Sequence, residues 1–415
     1  MVKKQYLVYL FCGALITSLV FSKYFLSVSI ISLVVLGLFT LDKTKGGWSL
    51  KTNFVEVWDQ IRNRQYRPFL ALTLFFFLVL FSFWQTDDNW NYFFRKVTIK
   101  LPFLVLPIAF LALPRFSKRE FHNLLYFLLL LITGTGLFVC IDYAQHFAEY
   151  NELVKIGKQI PVPGDHVRFS VLVAISILVG FVLYSNKHFF SKAWESKLIL
   201  GCTLFLIGFI HVLSVKTGIL SLYLFSFFLL IQYMVKKKAW AVGLGSLVLM
   251  GALLIGAIRF IPSLNQKFHY TKYDLEKFFQ GEGDTYNDSG RITSVKVGWE
   301  LFKENPVFGV GAGNLREATN QVYSEKFSGY PPFTPINQFM YTLSSTGIFG
   351  LSLFLIAFFT PFLFKRLYTH QFLLGIFVVH IFLCLIENTL ENAVGVGTFV
   401  FFLVLSLNHF LKEAD

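Results

Sequence analysis

The chain has 415 residues, 55% of them hydrophobic and 18% aromatic against 15% charged, and a mean hydropathy of +0.60. That is too apolar for an ordinary soluble domain and points to a polytopic, all-α membrane protein. The formal charge of +13 would suggest nucleic acid in a soluble chain. Here Lys and Arg flank apolar runs, where anionic headgroups account for them, so no nucleic-acid partner is expected.

The first apolar run, residues 5–22, follows Lys3 and Lys4. It has no small-x-small cleavage site and another apolar run follows at once, so it reads as a retained span rather than a signal peptide. Further runs of about 17 to 25 residues, enough to cross about 30 Å of hydrocarbon, begin near Tyr24, Phe69, Val97, Phe121, Phe169, Leu198, Thr217, Ala239, Phe339, Phe372 and Ala393. About twelve transmembrane helices are expected. The run near Val97 is the weakest, because its core is short and carries Pro102 and Pro107. Cys12, Cys140, Cys202 and Cys384 fall in apolar runs without CxxC spacing and read as small buried hydrophobes.

With the N-terminus placed inside, the connections richest in Lys and Arg fall on the inner side, among them 43–67, 115–119, 187–197, Lys236-Lys237-Lys238 and Lys365-Arg366. Both termini are then cytoplasmic and one long polar segment lies outside. The chain divides into a membrane bundle of nine spans (1–258), an outer loop (259–338) and three further spans (339–415). A minor outer connection, 142–166, carries Pro161-Val162-Pro163-Gly164.

The long outer loop concentrates the candidate chemistry. Residues 291–304 read as an amphipathic helix with Ile292, Val295, Trp299 and Phe302 near one face, lying against the bundle or the membrane surface with Trp299 buried there. Asp288 or Ser289 is placed to cap its start and Asn305-Pro306 to end it. The turn-rich Asn305-Pro306-Val307-Phe308-Gly309-Val310-Gly311-Ala312-Gly313-Asn314 follows. Its glycines allow tight turns or close backbone approach, but no strand precedes them as a dinucleotide site requires, and the Lys-Ser/Thr of a P-loop is missing.

A second feature is Ser214-Val215-Lys216-Thr217-Gly218, where two apolar runs meet with almost no connection. Lys216 is either a snorkelling boundary residue or a cation offered to an anionic ligand at the outer surface. Arg168 opens a span on the same side, so Lys216, Arg168 and Arg291 form a candidate outer cluster. No His/Asp/Glu set recurs at metal-ligand spacing, and neither a metal nor a cofactor is expected.

These residues carry a resemblance. About twelve spans, the Ser-x-Lys-Thr-Gly junction, a long loop with Gly290-Arg291 and Trp299, then Asn305-Pro306-x-Phe-Gly309-x-Gly311-x-Gly313-Asn314, then Asn337-Gln338-Phe339 and Gly347-Ile348-Phe349-Gly350 resemble the O-antigen ligase and polymerase superfamily. The topology is similar over the whole chain, and the specific motifs run from Ser214 to Gly350. The resemblance implies transfer of a glycan from undecaprenyl pyrophosphate to an acceptor hydroxyl at the outer face of the bacterial inner membrane, in lipopolysaccharide biosynthesis. The acceptor would be lipid A-core for a ligase or a growing polysaccharide for a repeat-unit polymerase; membrane lipid is the remaining partner.

By the same resemblance Arg291 and Lys216 are the catalytic cations that hold the donor pyrophosphate, with Arg168 beside them. Lys216 stands where the family has arginine, which keeps the charge and loses the guanidinium fork. Ile336 stands where ligases have a histidine base. Asp288, Asp284, Glu325, His269 and His166 are open as replacements, and Glu387 and Glu391 either bind an acceptor sugar or mark the membrane boundary. An inverting, metal-independent transferase is the expected enzyme. A polysaccharide transporter or flippase is the rival reading; it fits the span number but not the lack of an internal repeat.

Overall fold

The computed structural model describes residues 4–44, 47–155, 158–186, 192–280, 287–327 and 329–411. The helices are α1 Lys4–Phe21, α2 Lys23–Leu38, α3 Phe54–Arg62, α4 Arg67–Leu80, α5 Trp90–Ala112, α6 Lys118–Gln145, α7 Phe147–Lys155, α8 His166–Ser185 and α9 Ala193–Leu213. They continue with α10 Lys216–Lys237, α11 Trp240–Phe260, α12 Pro262–Phe279, α13 Asn287–Glu304, α14 Leu315–Lys326, α15 Gln338–Leu363, α16 Gln371–Ile386 and α17 Ala393–Phe410.

All twelve apolar runs expected from the sequence lie in helices, and the protein is a helical polytopic membrane protein. Among the described residues, nine helices are long and apolar enough to cross a membrane; α2 and α16 are apolar but shorter. The doubtful run near Val97 is part of α5, a 23-residue helix with Pro102 and Pro107 inside it. Packing tolerates the prolines: α5 lies against α2, α4 and α17, and neighbouring helices can take over what each proline leaves unbonded.

Several elements were not legible as such. The antiparallel hairpin of β1 (Phe39–Thr44) and β2 (Gly47–Thr52) and the short α3 fall in and just before the basic 43–67 connection. α7 occupies the 142–166 connection, while α12 and α14 flank the expected helix of the long polar segment.

The chain forms two compact units. The first comprises residues 1–121, 289–368 and 384–415, the second 122–288 and 369–383. The first unit is organised around Phe75 of α4, whose ring lies 4.6 Å from Phe103, 5.1 Å from Phe354 and 5.9 Å from Phe399. Those partners come from α5, α15 and α17. Offset and edge-on ring pairs of this kind contribute about 0.5–1.5 kcal/mol each beyond area burial. In lipid, where apolar surface has no reason to leave its surroundings, such packing is what selects the arrangement.

The second unit is built on α8, buried along most of its length. Small residues allow its neighbours in: a Cβ on Gly180 would lie 2.0 Å from Thr203 Oγ1 of α9, and one on Gly218 2.7 Å from Ser170 Cβ. The second contact sets the first turns of α8 and α10 side by side.

Candidate active site

In the second unit, α9 ends at Ser214, which takes the left-handed conformation (φ 54°), and after Val215 the chain enters α10 at Lys216. A non-glycine residue there is held by its bonds: the Ser214 hydroxyl donates to the His211 carbonyl (3.0 Å) and to Ser263 Oγ of α12 (2.8 Å). Lys216 is thereby fixed at a helix N-terminus, where its charge adds to the positive end of the helix dipole. Its ammonium is ion-paired with Asp288. Arg168 sits in the first turn of the adjacent α8, paired through Nη1 with Asp165 Oδ1 at 3.2 Å, and Asp165 also caps α8 by accepting from the Arg168 N–H. Burial pushes the Asp165 carboxyl up, but the Arg168 guanidinium and N–H outweigh it and hold it below the usual aspartate value.

The helix expected at 291–304 is present and longer, beginning at Asn287 and ending at Glu304 before Asn305-Pro306. Two details differ from the sequence reading. Asp288 is inside the first turn rather than capping it; its N–H donates to Asp274 Oδ2 of α12 at 2.8 Å, so a carboxylate from another helix serves the open N-terminus. The buried stripe is also rotated: Ser294, Val297, Gly298 and Leu301 face inward, while Ile292, Val295 and Phe302 are half-buried and Trp299 is 48% exposed. Small side chains decide this, because Cβ atoms on Gly298 would stand 2.6 Å from Met340 Cγ and 2.8 Å from Pro335 Cγ. Trp299 packs instead on Phe302, with ring centroids 5.3 Å apart.

In the first unit, Arg291 Nη2 lies 2.6 Å from Glu387 Oε1, and Nη1 donates to the Ile386 carbonyl at 2.9 Å. The turn that carries Glu387 joins α16 to α17 and is stitched to the segment before α15. Asn388 Nδ2 donates to the Pro335 carbonyl (3.1 Å), Asn337 Nδ2 donates to the Leu385 carbonyl (2.6 Å), and the Ile336 N–H donates to Ser294 Oγ (3.1 Å). Asn337 also caps α15 by accepting from the Met340 N–H. Ile336 and Glu387 therefore occupy two segments clasped together, and the carboxylate beside Arg291 is Glu387. Of the other proposed bases, Asp288 is taken by Lys216, and Glu325 on α14 accepts from Gln321. His269 lies exposed on α12, His166 opens α8, and Asp284 lies outside the described residues.

The glycine motif packs against backbone. Gly309 and Gly311 take φ of 69° and 87°, and within α15 Gly347 takes 65°, breaking that helix. The loop inserts at the break: Val310 and Gly311 N–H groups donate to the Ser344 and Ser345 carbonyls (3.0 and 2.9 Å), while Ile348 and Phe349 N–H groups donate to Pro306 and Val307 (2.9 and 3.2 Å). A Cβ on Gly309 would lie 2.4 Å from the Ser345 carbonyl carbon and one on Gly347 2.2 Å from the Val307 oxygen. Gly347 and Gly350 are thus helix residues, not loop residues. On the other side, Gln85 Nε2 donates to the Gly309 carbonyl (2.9 Å) and Asn314 Nδ2 to the Gln85 carbonyl (2.6 Å). Asn305, Pro306, Gly309, Gly311, Gly313 and Asn314 act as a joint that fixes where α13 ends and α14 begins.

A multi-pass helical membrane protein in which a short lysine junction and a loop arginine each meet a carboxylate is the class defined here. Residues 201–355, from α9 to the middle of α15, match the family model described as O-Antigen ligase, and over that stretch the chain is similar to the O-antigen ligase superfamily. Lys216, Arg291 and the glycine joint fall inside the matched residues; Arg168, Glu387 and Glu391 fall outside. No curated protein matches the chain.

Proposed function

We propose that the protein transfers a glycan from undecaprenyl pyrophosphate to an acceptor hydroxyl by a single inverting displacement without a metal, with Lys216 and Arg291 holding the pyrophosphate and Arg168 beside them. The reading places this at the outer face of the inner membrane, with both termini cytoplasmic. The observation that carries it is the pair of held cations: Lys216 on Asp288, and Arg291 on Glu387, with Asp288 and Arg291 three residues apart in α13. Each carboxylate keeps its cation in place, and the arriving pyrophosphate competes for the same charge.

In the step itself the acceptor oxygen attacks sugar C1, the bond from C1 to the pyrophosphate oxygen breaks with its electron pair, and undecaprenyl pyrophosphate leaves. Fixed cations stabilise the charge that develops on the leaving oxygen. The acceptor proton passes to Glu387, released from Arg291 as that guanidinium turns to the phosphates; Ile336 cannot take it. A polymerase, with a growing polysaccharide as acceptor, is favoured over a ligase by the apolar Ile336.

Purified protein incubated with an undecaprenyl-pyrophosphate oligosaccharide and candidate acceptors, with and without chelator, tests this. Extension of the glycan identifies a polymerase and transfer to lipid A-core a ligase. Loss of transfer on adding chelator would overturn the metal-independent step. Ile336→His that raises ligation would show a weakened ligase; no change would place the base elsewhere, as on Glu387.

A further inference from the structure

The turn between α16 and α17 carries a second carboxylate, Glu391, whose side chain is only 7% exposed. Two lysines reach it from one face of α5. Lys96 Nζ lies 3.1 Å from Oε2 and Lys100 Nζ 2.7 Å from Oε1, and Lys100 also donates to the Leu390 carbonyl at 2.7 Å. The Lys96 ammonium is held further by the rings of Tyr92 and Tyr341, 5.1 and 4.8 Å away. Gln338, the first residue of α15, donates to Glu391 Oε1 (3.1 Å) and accepts from the Leu390 N–H (3.0 Å).

A buried cluster of this kind is a poor source of stability, because desolvating the charges costs as much as their attraction returns. What it does supply is position. The segment from Leu385 to Glu391 is pinned at its far end by Lys96 and Lys100 and along its length by Pro335, Asn337 and Gln338, and its near end holds Arg291.

We propose that Lys96 and Lys100, acting through Glu391, are positioning residues that fix this turn so that Glu387 and the Ile386 carbonyl present the Arg291 guanidinium to the donor. The inference rests on the transfer reading above. A displacement of about 1 Å at a reacting centre costs on the order of 100-fold in rate, and two lysines that never meet substrate exert their effect through that sensitivity.

The test is the triple replacement K96M/K100M/E391L, which removes every charge of the cluster and leaves none buried without a partner. The expected result is a thermal transition close to that of the unaltered protein. kcat for transfer should fall on the order of 100-fold, and hydrogen exchange should quicken across 385–392. In a Glu387→Gln background the same triple should cause a smaller further loss, since the turn then positions the Ile386 carbonyl alone. Glu391→Gln, read in the same two backgrounds, serves if the triple does not fold. A normal kcat in the triple, or a loss as large in the Glu387→Gln background, would overturn the proposal. If the unaltered protein transfers no glycan, the transfer reading fails, and unchanged exchange across 385–392 in the triple would separately overturn the positioning role.

Discussion

Replacing Arg291 with alanine, alone and together with Glu387, separates catalysis from folding. Its side chain is 35% exposed, so solvent screening limits the ion pair itself to about 1 kcal/mol. Glu387, at 9% exposed, is the larger liability: a carboxylate left buried without its partner costs up to about 3–5 kcal/mol. On the reaction, loss of one fixed donor to developing oxyanion charge removes about 2.7–4 kcal/mol, or roughly 100- to 1,000-fold in kcat. Arg291→Ala should therefore both destabilise and inactivate, whereas the double variant Arg291→Ala/Glu387→Ala should recover stability and stay inactive. Arg291→Lys should fall between, since it keeps the charge but loses the fork. The assay is transfer from a labelled lipid-linked oligosaccharide, followed by gel or mass spectrometry, beside a detergent melting curve. Transfer at the normal rate by Arg291→Ala would refute the assignment of the cation and, with it, the role given to α13.

Lys216→Ala should lose most transfer and Lys216→Arg retain or raise it, measured in the same assay; equal rates for all three residues would remove Lys216 from the site. Gly309→Ala should fold poorly, because it adds about 1–2 kcal/mol of left-handed strain to a contact of 2.4 Å with the Ser345 backbone, and the melting temperature reads this directly. Burial would raise the Glu391 carboxyl, but Lys100 and Lys96 beside it outweigh this and hold it at about 2. Its folded value is depressed, so its contribution to stability is complete above the unfolded value of about 4.3 and lost as pH falls towards 2. Melting temperature against pH should show that loss in the unaltered protein and not in K96M/K100M/E391L, and Glu391 should contribute no ionisation to the pH–rate profile above about pH 5. Single cysteines at Lys237 and Arg316 should react with an impermeant maleimide in intact cells only at Arg316; the opposite pattern would reverse the topology.

Composition and apolar run length by themselves determined the membrane class and the helices at all twelve expected runs, because a bilayer admits few backbone solutions and long apolar stretches have one way to satisfy their N–H and C=O groups. The C-terminal end of α13 was equally legible at Asn305-Pro306, as were Lys216 at a two-helix junction and Arg291 in the long polar segment. Tertiary structure decided the rest. Which face of α13 is buried depends on Gly298 meeting Pro335 and Met340, contacts that helical spacing of large apolar residues does not encode. The glycines at 309, 311 and 347 answer to one another across the break in α15, so their use is invisible in either motif alone. Glu387 and Glu391, which read alike as boundary residues, meet different partners, Arg291 about 100 residues away in sequence and Lys96 and Lys100 about 290. Loop closure over such distances is decided by how helices pack, and local pattern carries no record of it.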